Sequence, residues 1–326
     1  MKVDATLRTC AIAAAFSVAG PVLAQSAPAY PTKPVRVIVP FAPGGGTDVT
    51  TRAVSQRLTE RLGATFVVDN RAGANGVIGV ETAVRAPADG YTLVAISNSH
   101  TVNVSIYKKL SYDLVRDLAP ITEFTTQPFA LVINPSLPAK SVKDLIAYAK
   151  ANPGKLNYGS SGTGGISHLS GAMFGSIAGI DLNHVAYKGG TPAMIDVISG
   201  QIQMLFSTLL QANPHIKSGK LRVLAVTTPK RNSLAPELPT MNEAGVPGYD
   251  VSQWFGLTAP AKTPKPIVAK LNAEIGKILQ EPEMKARIAA DGAEPVGGSS
   301  EEFGAHISRD VAKWAKVVKH IGLQPE

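Results

Sequence analysis

Glycines and hydroxyl residues gather at four places in this chain, each between an apolar run and a stretch of helical spacing. The first is Phe41-Ala42-Pro43-Gly44-Gly45-Gly46-Thr47-Asp48. Three glycines let the backbone turn tightly and come close to a ligand. Amide hydrogens there, with a helix start behind them, favour a carboxylate or a phosphate. The other reading is a plain strand-to-helix turn capped by Thr47 or Asp48. The second place is Ser97-Asn98-Ser99-His100-Thr101, read as a loop that either lines the same crevice or is simply solvated. The third is Ser160-Ser161-Gly162-Thr163-Gly164-Gly165-Ile166-Ser167-His168, again ahead of a helix. The fourth is Tyr187-Lys188-Gly189-Gly190-Thr191-Pro192, where Thr191 can cap a helix that Pro192 opens. Tyr187 could stack on a ligand and Lys188 attract an anion, or both could be solvated. Candidate ligand contacts are therefore Phe41, Ala42, Gly44, Gly45, Gly46, Thr47, Asp48, Ser97, Asn98, His100, Ser160, Ser161, Thr163, Gly164, His168, Tyr187 and Lys188.

Several chemistries are disfavoured by spacing. No Lys-Ser or Lys-Thr pair follows the Gly44 to Gly46 run, so a nucleotide P-loop is absent. A dinucleotide fingerprint would need glycine at position 49, which is Val49. Gly159-Ser160-Ser161-Gly162 lacks the spacing of a serine-hydrolase elbow. The six histidines stand at 100, 168, 184, 215, 306 and 320, without a close pair at metal-ligand spacing. No metal, cofactor or catalytic residue is expected, and neutral donors suit reversible capture better than proton transfer.

The elements that must position these loops alternate. Val35 to Val39, Phe66 to Val68 and Thr92 to Ile96 read as strands. Helices at Asp48 to Leu62 and Asn75 to Arg85 separate them, the pattern of a parallel sheet covered on both faces. A second α/β unit follows. Its strands begin at Ala130 to Ile133 and end with Leu221 to Thr227, and Ser141 caps one of its helices. Val251 to Ala259 is extended again. Helices then open at Pro266, at Glu283 and behind a Ser299/Glu302 capping box, with no sheet of their own, and are expected to cover the first unit. The chain would leave one lobe, build another and return. That gives a first lobe of residues 25–127 plus 251–326, a second of 128–250, and a cleft between them.

Lys2 and Arg8, the apolar run Ala11 to Leu23, and Val22-Leu23-Ala24 read as a secretory signal over residues 1–24. Cleavage would remove Cys10, the chain's one cysteine, so no disulfide is expected at an oxidising destination. It would also take the formal charge from +8 to +7 by removing Lys2, Arg8 and Asp4. A basic balance favours anionic partners, but no basic stripe with aromatics is present, so nucleic acid is not expected.

Taken together, Tyr30-Pro31-Thr32-Lys33-Pro34-Val35-Arg36, Pro43 to Asp48 and Asn70-Arg71-Ala72-Gly73-Ala74-Asn75-Gly76 resemble a known family. Ala88-Asp89-Gly90-Tyr91-Thr92-Leu93, Tyr187-Lys188-Gly189 and Leu257-Thr258-Ala259-Pro260-Ala261 extend the likeness over nearly the whole exported chain. It is similar to the TctC-like substrate-binding proteins of tripartite tricarboxylate transporters, the Bordetella uptake gene family. That resemblance implies an α/β, two-lobed, type II Venus-flytrap periplasmic binding protein with crossing hinge strands, acting as a monomer. It implies a periplasmic receptor that hands a small carboxylate or acidic amino acid to an integral-membrane permease. Gly200-Gln201-Ile202-Gln203 departs from the family pattern, in which an acidic residue often stands at position 203. The alternatives are a periplasmic sensor domain for a membrane kinase or a small-molecule hydrolase.

Overall fold

The structure is a computed structural model that describes residues 30–187, 190–233 and 235–323. The expected signal segment with Cys10, and Lys188, lie outside the described residues.

In β1 (Val35–Val39), Val35, Val37, Ile38 and Val39 are buried. Such continuous apolar runs mark a strand covered on both faces. It pairs in parallel with β2 (Phe66–Asn70) and β3 (Thr92–Ser97). The connections are α1 (Gly46–Leu62) and α2 (Val77–Val84). α1 begins two residues before the expected Asp48. The stretch read as a helix from Asn75 opens instead with a 3₁₀ turn, Ala74–Gly76, ahead of α2.

Polar residues 98–101 do not form a loop: they open α3 (Asn98–Ile106). Ser, Asn and Thr are weak helix formers because their side chains compete for the backbone. Here tertiary contacts hold them. Asn98 donates to the carbonyl of Ser252, Thr101 to the carboxylate of Asp310, and Asn103 to the carbonyl of Asn75.

β4 (Leu118–Ile133) has 16 residues and begins well before the apolar run at Ala130. Its Leu118 to Pro128 part pairs antiparallel with β9 (Ser252–Pro260), which also pairs with β3. Its Phe129 to Ile133 part pairs antiparallel with β7 (Met204–Thr208), and residues 130–133 also with β8 (Arg222–Val226). The same strand therefore runs through both halves of one curled sheet, in the order β2-β1-β3-β9-β4-β7 followed by β5 (Asn157–Ser160) and β6 (Asn183–Ala186). In the second half β5 lies parallel to β6 and β7. The helices there are α4 (Val142–Ala151), α5 (Ile166–Ala178), α6 (Gly190–Ser199) and α7 (Leu209–Lys217). The oxygen of Ser141 accepts the Asp144 amide and caps α4 as expected, whereas Thr191 lies inside α6.

The C-terminal segment supplies α8 (Lys265–Gln280), α9 (Pro282–Ala290) and α10 (Ser300–His320). The Ser299/Glu302 capping box forms, with reciprocal bonds of 3.1 and 2.7 Å. Two features differ from the sequence reading. The helices are joined by a strand after all, β10 (Glu294–Gly297), antiparallel to β4. And α10 does not stay on one half. Phe303 and Ile307 pack with Ile38, Val94 and Trp254, while Trp314 and Val318 pack with Phe174, Phe206 and Tyr249. A 21-residue helix is about 31 Å long, enough to span both cores. Buried Asp310 sits between them, accepting from Thr101 of α3 (2.9 Å), Trp254 of β9 (3.0 Å) and Lys313 (2.5 Å).

Candidate functional site

In each half the parallel strands end on the same side, and the helices that follow begin there. Such ends converge on one crevice. Two cavities occupy it, about 470 and 750 Å³. Ser99, Thr208, Gln211 and Gln253 line both, so the two spaces adjoin.

The larger cavity takes in the loop between β1 and α1. Phe41, Ala42, Gly44, Gly45, Gly46, Thr47 and Ser97, all anticipated from sequence, line it. The smaller is walled by Ser161, Thr163 and Gly164, likewise anticipated, from the loop between β5 and α5. Among the described residues lining either cavity, Asp291 alone carries a charge. Donors there are amides and hydroxyls.

Helices α1 and α5 start from Gly45 and Gly165, and no side chain caps either. Helices that begin with a side-chain cap, such as α4 at Ser141, have one of their first amides satisfied internally. α1 and α5 instead turn uncapped, partly positive ends toward the two cavities.

The remaining anticipated residues that the structure describes build the walls from behind and line neither cavity. Asp48 is buried, and its carboxylate accepts the Gly44 amide (2.9 Å), Arg52 Nε (3.0 Å) and Asn70 Nδ2 (2.8 Å). Burial pushes its pKa up, but the bonds from Arg52, Gly44 and Asn70 outweigh this and hold it below the usual carboxylate range. Asp48 thus stays charged and fastens the glycine loop. His100 is fully buried, with Nδ1 accepting the Ser97 amide at 2.9 Å. Its Nε2 has no partner and faces Gly76, where an added Cβ would come within 2.6 Å. Burial drives the pKa of His100 down to about 4. Asn98, also buried, ties α3 to β9: its amide nitrogen bonds the Ser252 carbonyl, and its oxygen accepts from Gln253.

Beneath the second loop two imidazoles stack. The rings of His168 and His184 lie 3.8 Å apart, and His168 Nδ1 accepts the Gly164 amide at 3.1 Å. Burial, then the neighbouring His184, lowers the pKa of His168 to about 4. Ser160 Oγ is 2.6 Å from His184 Nε2, the separation of a nucleophile and its base. But Ser160 has no exposed surface and lines neither cavity, so a solute in the crevice does not reach its oxygen. Tyr187 donates its hydroxyl to Asp196 at 2.6 Å rather than facing either cavity. Burial and then that carboxylate push its pKa up to about 12. Among the described residues no group of His, Cys, Asp and Glu could hold a metal ion.

Sequence reasoning missed Asn75, Thr208, Gln211, Gln253 and Phe255. Thr208 and Gln211 begin α7 and repeat the strand-to-helix pattern found elsewhere, so their signal was present. Gln253 and Phe255 are two apart in β9, and strand alternation puts both on one face. What hid them was that β9 reaches the crevice only because it passes between the halves.

A family model described as "Tripartite tricarboxylate transporter family receptor" matches residues 50–323. Protein BugT of Bordetella pertussis is 37% identical over 313 residues, covering 95% of this chain and 95% of that protein. Among solved structures, Rpa4515 of R. palustris with adipate is 38% identical at a TM-score of 0.77, covering 91% of this chain and 100% of that one. MatC of Rhodopseudomonas palustris with bound malate is 29% identical at 0.72, covering 89% and 100%. The fold is thus that of two-lobed periplasmic solute-binding proteins. The chain belongs to the tripartite tricarboxylate transporter receptor family.

Proposed function

We propose that this protein is an extracytoplasmic receptor that reversibly binds one small carboxylate-containing solute between its halves and delivers it to an integral-membrane permease. The observation that carries this reading is the pair of uncapped helix starts, α1 and α5, opening from opposite halves onto adjoining cavities with almost no charged lining. An anion there is held by backbone amides, Ser161, Thr163 and the amides of Gln211 and Gln253, and covalent chemistry is not required. The adipate and malate held by two relatives are of that class. An acidic amino acid also fits, with its ammonium toward Asp291. In this proposal β4 and the entry to β9 are the hinge. The lobes are residues 25–127 plus 251–326 and 128–250, with α10 a third link between them. Closure on the solute gives the form that the permease recognises. The protein works in the periplasm after loss of residues 1–24.

A thermal-shift panel of adipate, malate, succinate, aspartate and glutamate tests the reading. A ligand at a hundred times its Kd adds about 2.7 kcal/mol to stability, enough for a melting shift of several degrees. One or more of these anions should raise Tm and be recovered chemically unchanged. No shift with any of them at millimolar concentration would count against the proposal, and turnover of a bound ester or amide would favour a hydrolase.

A further inference from the structure

The segment between β2 and α2 has four successive residues with positive φ: Gly73 (139°), Ala74 (45°), Asn75 (50°) and Gly76 (92°). Among the described residues Ala74 and Asn75 are the only non-glycines in this region of backbone space. Side chains are disfavoured there, and such conformations persist where surrounding structure enforces them, often at ligand sites. Glycine would meet the backbone requirement at position 75 freely. A side chain stands there nonetheless, and it is fixed. Asn75 Nδ2 donates to Asn103 Oδ1 at 2.8 Å, and Asn103 Nδ2 donates back to the Asn75 carbonyl at 2.9 Å. Asn103 is itself fully buried in α3. Asn75 is exposed and lines the smaller cavity, whose wall otherwise includes Ser161, Thr163 and Ser167 of the second half.

From these three observations we infer that Asn75 is a specificity-determining residue, whose side-chain amide reaches from the first half to contact the solute held at the start of α5. The inference deepens the receptor reading and rests on it. One amide hydrogen is committed to Asn103, which orients the group and leaves the second hydrogen and Oδ1 for the solute. An amide held in this way discriminates among carboxylates by their substituents, since it both donates and accepts without adding charge. The strained turn supplies the reach, and the bond to Asn103 the aim.

Titration calorimetry with adipate, malate and aspartate, on wild type, Asn75→Gly and Asn75→Asp, tests this. Asn75→Gly keeps the left-handed backbone and the bond from Asn103 to the carbonyl at position 75. Because buried Asn103 Oδ1 loses its donor, it should lower Tm modestly, but it should also weaken the probe that wild type binds best at least fivefold and narrow its preference among the three. Asn75→Asp places a carboxylate in the cavity and should weaken the dicarboxylates by more than Asn75→Gly does. A merely structural role would move Tm without changing the order of preference. Dissociation constants within twofold of wild type for both variants would overturn the inference. A wild-type protein that binds none of the probes would instead defeat the receptor reading, and this one with it.

Discussion

Lowering the pH from 7.5 to 5.0 should destabilise the protein, with His100 supplying a calculable share. The ring of His100 is fully buried, its Nδ1 takes the Ser97 amide at 2.9 Å, and its Nε2 is closed in by Gly76. Burial holds its pKa near 4 against 6.5 for a free imidazole. The unfolded chain therefore binds a proton at a pH where the folded chain does not. Stability falls as the pH drops below 6.5 and levels off once it passes about 4. Each pH unit in that window is worth about 1.4 kcal/mol, so at pH 5.0 His100 alone removes about 2 kcal/mol. His168, also held near 4, changes stability in the same direction. His306 has the opposite sign: burial lowers its pKa, but its 2.7 Å contact with Glu123 raises it more, and the net shift is upward. Its contribution is complete below 6.5 and is lost as the pH rises through its folded pKa, so it grows on acidification and offsets part of the loss, equally in wild type and in a variant at His100. Urea unfolding at both pH values, on wild type and His100→Asn, isolates the term. The asparagine oxygen can replace Nδ1 as acceptor for Ser97, and the variant does not titrate. Wild type should lose about 2 kcal/mol more than the variant between the two conditions. Equal losses within about 0.5 kcal/mol would refute the claim that His100 is neutral because it is buried.

Two substitutions probe the walls of the crevice. A Cβ on Gly171 would fall 2.2 Å from the ring of Tyr158, which packs beside His184 under the second loop. Gly171→Ala should therefore cost about 3 kcal/mol in urea unfolding, at the upper end for overpacking, and weaken binding as well. Asp48→Ala strips the acceptor from the Gly44 amide, leaves Asn70 Nδ2 only the Phe41 carbonyl, and leaves half-exposed Arg52 only its bond to Asn70 Oδ1. It should cost about 2 kcal/mol and lower affinity through a loosened glycine loop, although Asp48 lines neither cavity.

The alternation of strands and helices was readable because its signals are local: apolar runs, caps and glycine-rich turns. What was not readable depends on distant partners. The first part of β4 carries Thr122, Glu123, Thr125 and Gln127, which break any apolar pattern yet are buried against β9, β10 and His306. β10, Glu294-Pro295-Val296-Gly297, is short and holds two residues that strands disfavour. α3 is polar at its start and becomes helical because Asp310, Ser252 and Asn75 take its side chains. For the same reason the glycine loops of the candidate site were legible and the cavity-lining β9 residues Gln253 and Phe255 were not. Loops announce themselves by composition, whereas a strand that passes between two halves looks like any other. Asp48, His100, Ser160 and His168 were of the right types in the right segments, but their side chains turn inward to fasten the loops.

The central claim, reversible capture of one small carboxylate, is met most directly by native mass spectrometry of the protein, first as purified and then with adipate or malate added. The account predicts a one-to-one complex that gentle denaturation releases as the intact acid. Protein that stays unliganded at millimolar carboxylate, or that returns a chemically altered product, would contradict it.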